Sequence, residues 1–188
     1  MSPKVKRRFH AIIRRSGIRP ERALEVGGVM GEGSLLRFPE LAGTERYCLN
    51  LVAMPSDGEI TAVQGNANDM KAFKRDYFDL VLCCSTLEHD KRFWLSVAEM
   101  RRVLKPGGRV ALAIWRSIDH NPAFVGFAET LDEHLGHDVG AILRSPFGGP
   151  QLADLRSMLE EVEFERVRAT IGIIPVRFRS RTSTAHPR

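Results

Sequence analysis

The chain has 188 residues, 43% of them hydrophobic, which suits one packed core of ordinary domain size. No apolar run nears the roughly 20 residues that cross a bilayer, and no short apolar segment follows the basic start. A membrane span or secretory signal is therefore not expected, and the protein reads as cytoplasmic; the net charge of +5 is gathered at the start, where residues 1–22 hold eight Lys or Arg against the single acid Glu21.

In chain order, residues 1–22 predict a basic amphipathic helix. Phe9, Ile12 and Ile13 would pack on a sheet while Arg7, Arg8, Arg14 and Arg15 face water. The other reading of this arm is a contact with phosphate, an acidic lipid surface or an anionic substrate. A first strand, Arg22 to Val26, runs into a glycine-rich turn, a helix is expected from Ser34 to Leu41, and a second strand covers Arg46 to Leu51. A third strand is expected near Ile60 to Gln64, and a fourth, Phe78 to Cys84, is apolar almost throughout, as a central strand buried on both faces would be. From Asp90 to Lys105, Phe93, Trp94, Val97, Met100, Val103 and Leu104 make a helical stripe. Pro106-Gly107-Gly108 then turns the chain into a fifth strand, Arg109 to Trp115. Residues 117–150 form an insertion with a helical pattern through Phe124, Phe127, Leu131 and Leu135. It would cover the carboxyl ends of the strands as a substrate cap, or pack as a plain helical layer. A helix from Leu152 to Val162, a strand segment from Glu165 to Ile171 and a frayed tail over 181–188 complete the chain, which is read as one domain, 1–188.

Several residues are placed for chemistry. Gly27, Gly28 and Gly31 follow the first strand, with no side chains to block a ligand's approach to backbone or to forbid positive φ. Glycine-rich turns also join ordinary strands to helices. Glu25 stands just before them, and Asn50 ends the second strand, where it either meets a ligand or simply makes a turn. Asn66-Ala67 follows the third strand with Asp69 just beyond, and Cys84, Ser85 and Leu87 to His89 follow the fourth. His89 could serve as a general base or could orient and cap the next helix. Cys48, Cys83 and Cys84 lie in apolar runs without metal-ligand spacing, so they read as reduced structural thiols and no metal is expected.

These pieces in this order, closing with FDLVLCCSTLEH and MRRVLKPGGRVALAIW, resemble the class I S-adenosylmethionine-dependent methyltransferases, in particular the small-molecule type 11 branch. The resemblance covers about Phe9 to Ser180. It implies an α/β fold, a doubly wound, mostly parallel Rossmann-like sheet with helices on both faces and a small helical cap after strand five. It implies S-adenosyl-L-methionine as cofactor, held by Glu25, Gly27, Gly28, Gly31, Asn50, Asn66, Ala67 and Cys84. In that family Glu25 would face the cofactor's ammonium, Asn50 the ribose, Asn66-Ala67 the adenine, and the loop at Cys84 would give a backbone carbonyl. This chain departs from the family at Val29, where a glycine is usual, and at Asn50, where an acid is usual. The family shares no catalytic residue to carry over, because the sulfonium supplies its own driving force and the protein aligns the reactants.

The expected partner is a small-molecule methyl acceptor. RNA fits less well, because no aromatic stacking platform accompanies the N-terminal arginines. The family's sheet ends in an antiparallel strand pair. Either Ile173 to Phe178 supplies its last strand, or the edge stays open or takes an oligomeric partner. Val29, Asn50, Asn66 and the short C-terminus motivate the alternative of a degenerate methyltransferase-like interaction module. A nicotinamide-dependent oxidoreductase fits the glycines no better and leaves the Pro-Gly-Gly turn without a role.

Overall fold

The computed structural model describes residues 2–174. Five strands, β1 (Arg22–Val26), β2 (Glu45–Asn50), β3 (Ile60–Gln64), β4 (Phe78–Cys84) and β5 (Leu104–Ala113), form one sheet in the order β3-β2-β1-β4-β5 with every pair parallel. The reversal from β1 leftward to β4 rightward places a switch point between those two strands. Open α/β sheets bind their ligands at such a point.

Strand alternation sends neighbouring side chains to opposite faces, and each face has its own cover. On one face Phe9 and Ile13 of α1 (Pro3–Ser16) pack with Leu35, Leu36, Phe38 and Leu41 against Ala23, Cys48, Leu80 and Leu82. On the other, Val97, Met100 and Val103 of α2 (Phe93–Val103) and Leu155 and Leu159 of α5 (Leu152–Glu161) pack against Leu24, Val26, Leu49, Val81 and Cys83. Between α2 and α5 lie α3 (Pro122–Leu135) and α4 (His137–Arg144).

The first helix forms as expected, with Ser2 capping it and Gly17 ending it in a left-handed turn, but Ile12 is half exposed and only Phe9 and Ile13 are buried. The basic residues take Ile12's side of the helix to solvent. The helix expected over Ser34 to Leu41 is two short 3-10 turns, Leu35–Arg37 and Pro39–Leu41. Pro39 lacks an N–H and forces Phe38 into extended backbone, so no α-helix can run through. The α2 helix passes directly into β5, and Pro106-Gly107-Gly108 lies within an irregularity of the β4–β5 ladder, where Phe78 pairs with Leu104 but Leu80 with Arg109. Gly107 takes a positive φ of 77° inside that bulge. No strand forms over Glu165 to Ile171, which runs as irregular chain. Of Ile173 to Phe178, all but the first two residues lie outside the described residues, as does the 181–188 tail.

Candidate active site

The loops leaving β1, β2 and β4 are aligned by backbone hydrogen bonds that extend the ladder past the strand ends. Gly27 N–H donates to the Leu49 carbonyl at 2.8 Å, Gly65 N–H to Asn50 at 2.9 Å and Ser85 N–H to Ala113 at 2.9 Å. The sequence candidates Glu25, Gly27, Gly28, Gly31, Asn50 and Cys84 therefore meet at one edge, with Asn66 and Ala67 beside Asn50 on the β3 side.

Alternation along β1 sends Glu25 to the face of the 3-10 turns, where it is 2% exposed. The Ser34 hydroxyl and the Leu35 N–H both donate to its Oε2, at 2.5 and 3.0 Å. Its Oε1 has no partner among the described residues. Burial lifts this carboxyl to about 7, against the pull of the Ser34 and Leu35 donors and of the distant Lys6 ammonium. Lys6 reaches the turn from α1, donating to the Glu32 carbonyl at 2.5 Å. Glu25 is thus poised to be ionised by a nearby cation.

The glycines divide by what surrounds them. A Cβ at Gly27, whose φ is 70°, would lie 2.2 Å from Thr86 Oγ1, and one at Gly28 would lie 2.5 Å from Glu25 Cγ. Those two glycines make room for the protein's own packing. Gly31, with φ at 84°, has nothing within 4 Å and borders open space. Val29 is 54% exposed, with its methyl 3.1 Å from where a Cβ of Gly33 would stand, and it does not approach the open space at Gly31.

Asn50 is engaged in the turn itself. Its amide donates to the Gly28 carbonyl at 2.7 Å and its Oδ1 accepts from Val52 N–H at 3.1 Å. An acid, the residue usual at this position in the resembling family, could not make the first bond, because a carboxylate has no donor. The Asn66 side chain accepts from Asn68 N–H at 2.9 Å and the exposed Asp69 pairs with Lys71 at 2.6 Å, so both are tied locally. Ala67 packs at the edge of the core. The carbonyl of Cys84 accepts from the Thr86 hydroxyl at 3.2 Å, and burial raises the Cys84 thiol above its usual range. His89 is exposed at the end of a 3-10 turn, Leu87–His89.

Three groups escaped the sequence reading. Ser34 caps the first 3-10 turn and holds Glu25, a role that its position before an apolar pair could have signalled. Thr86 folds over Gly27 from the left-handed Ser85, whose φ is 53°. Glu88, inside the LEH triplet, is 7% exposed with neither carboxylate oxygen in a hydrogen bond. Nothing local in the sequence distinguishes it from a solvated helix-start acid.

A recess of about 360 Å³ lies elsewhere, around Tyr47, Phe73, Lys74 and Tyr77 on the β3 side of the sheet. No acid is among its lining residues, whereas the glycine turn has the buried Glu25 beside it.

Residues 41–112 match the family model of the methyltransferase domain. No curated protein matches the chain. Among solved structures, a putative methyltransferase from Bacillus halodurans is 21% identical, with a TM-score of 0.57 over 83% of this chain and 68% of its own. A Haemonchus contortus phosphoethanolamine N-methyltransferase 2, solved with S-adenosyl-L-methionine, is 19% identical, with a TM-score of 0.60 over 84% of this chain and 36% of its own. A putative sarcosine dimethylglycine methyltransferase from Galdieria sulphuraria is 18% identical, with a TM-score of 0.58 over 85% and 60%. The chain spans between about a third and two thirds of the length of these three.

Proposed function

We infer that the chain, which matches the methyltransferase domain over residues 41–112 and has a parallel Rossmann-like sheet, binds S-adenosylmethionine at the glycine turn and transfers the methyl group to a small molecule. The observation that carries this reading is Glu25, a buried carboxylate with one oxygen unpaired beneath an open turn. A carboxyl pushed up to about 7 by burial gains most from a cation brought beside it, and the cofactor's ammonium is such a cation.

When bound, the cofactor supplies an activated methyl group. Glu25 would hold its amino acid end, with Ser34 and Leu35 fixing the carboxylate's direction. Gly31 leaves backbone accessible where a side chain would intrude. Asn50 keeps the turn in shape through Gly28, and its Oδ1 can exchange the Val52 N–H for a ribose hydroxyl. A reaction governed by alignment needs water kept from the reacting atoms more than it needs an acid or base, a role the insertion after β5 would serve. A small acceptor is favoured because the end of the insertion packs over the loop after β4, with Gly149 against Glu88.

Calorimetry with S-adenosylhomocysteine tests the reading. Micromolar binding that is lost in Glu25→Ala is expected, and no heat at millimolar ligand would leave a methyltransferase-like scaffold without the activity.

A further inference from the structure

Glu88 lies beneath the cap. Its carboxylate oxygens are sealed from solvent and neither has a hydrogen-bond partner among the described residues. A buried polar group in that state is costly, and a carboxylate more so, which makes it a group awaiting a ligand or a proton. Burial raises its proton affinity; the neighbouring His89, the Trp115 N–H and the Ser85 hydroxyl pull the other way without reaching bonding geometry.

The cover over Glu88 is thin and specific. Gly149 of the Phe-Gly-Gly-Pro turn presses on it so closely that a Cβ there would stand 3.0 Å from Glu88 Cα. Beside it Trp115, Phe124 and Phe147 form a ring cluster, with Phe147 5.8 Å from Trp115 and 5.2 Å from Phe124 between centroids. Otherwise the cap is weakly anchored: α3 buries only Ala128, α4 only Gly140, and Phe127, Leu135 and Ile142 are exposed. Moving the turn aside would uncover the Glu88 carboxylate next to the 3-10 turn that carries Phe147.

A carboxylate among aromatic faces is the chemistry that recognises an organic ammonium, by charge, N–H donation and cation–π attraction together. We propose that Glu88 with Trp115, Phe124 and Phe147 forms the acceptor subsite, and that the acceptor it takes is a nitrogen compound bound as an ammonium. This rests on the methyl-transfer reading above. Glu88 also suits the removal of the N–H proton, the N–H bond breaking and an O–H bond forming, so that the nitrogen keeps the lone pair a methyl acceptor needs.

The test uses two probes of similar shape, benzylammonium and benzyl alcohol. Only two tryptophans are present, so a Trp94→Phe background leaves Trp115 as the sole fluorescent reporter. At about pH 8, where the amine is still a cation, quenching titrations should show the ammonium binding about tenfold or more tighter than the alcohol. Glu88→Gln, which keeps the shape and removes the charge, should erase that preference while leaving calorimetric binding of S-adenosylhomocysteine in place. Equal binding of the two probes, no binding of either, or a preference that survives Glu88→Gln would overturn the proposal. The comparison of probes on Glu88-bearing protein stands even if the variant fails to fold. Loss of S-adenosylhomocysteine binding by the parent protein would instead strike the methyl-transfer reading itself.

Discussion

The two sides of the strand-end cleft are built on opposite terms. On the β1–β2 side the protein holds the turn itself: Ser34 and Leu35 hold Glu25 Oε2 and leave Oε1 without a partner among the described residues, Asn50 holds Gly28, and Asn66 closes its own turn. On the β4 side Glu88 is buried with nothing, under a turn that touches it through a glycine. A satisfied turn keeps its shape when empty, which is what a cofactor cradle used with every acceptor needs. An unsatisfied acid under a loosely held cap gains only when something enters, which suits recognition of one substrate. The first side is held in shape by its own hydrogen bonds, and the second is left open to a partner.

The sharpest way to break this contrast is at the glycines. Gly27→Ala combines a positive φ with a Cβ 2.2 Å from Thr86 Oγ1 and should cost about 3 kcal/mol in denaturant unfolding. Gly31→Ala, with open space ahead, should cost only about 1 kcal/mol but weaken S-adenosylhomocysteine binding. If the two variants lose equal stability, the turn is not packed as described.

The pH response of Glu25 is nearly as large. Its carboxyl is raised from 4.5 to about 7 on folding, so its favourable contribution is full below the unfolded value and is lost as pH rises through about 7. The stability difference between the wild type and Glu25→Gln should therefore shift by about 3 kcal/mol in the variant's favour between about pH 4 and pH 8. Ligand binding runs the other way. S-adenosylhomocysteine should bind more weakly as the pH falls below about 7, with that dependence absent from Glu25→Gln. A flat binding profile in the wild type would show that the carboxylate does not meet the ammonium.

Asn50→Asp removes the donor to Gly28 and sets a carboxylate beside that carbonyl, for an expected loss of about 1–2 kcal/mol in thermal or denaturant unfolding. A stabilised variant would mean that the amide does not hold the turn. The smallest effect belongs to Gly149→Ala, which asks the cap to shift by a few tenths of an ångström from Glu88. It should cost about 1 kcal/mol or less and speed proteolysis within 117–150, and unchanged cleavage would show the cap to be held by other contacts.

Much of the frame was legible because its signals are local. The apolar run Phe78 to Cys84 marked a doubly covered strand, and β1 and β3 lie over the residues expected for them. The helix expected at Ser34 to Leu41 failed on Pro39, a breaker visible in the sequence. The missing strand at Glu165 to Ile171 had alternation, yet alternation alone does not provide a neighbour to pair with. Of the site, Glu25 and the glycines could be named from their order after a strand, whereas Thr86 on Gly27 and Gly149 on Glu88 join residues 59 and 61 positions apart.

By itself, the order of residues determined a parallel sheet with a glycine turn at its switch point, because hydrophobic period and turn chemistry act over a few neighbouring positions. Tertiary structure alone decided which acid is oriented by donors and which is left bare. Hydrogen-bond satisfaction and burial depend on groups brought from distant parts of the chain, so Glu25 and Glu88, each an acid at the end of a strand or in the loop after one, acquire their different characters only when the turns and the cap close over them.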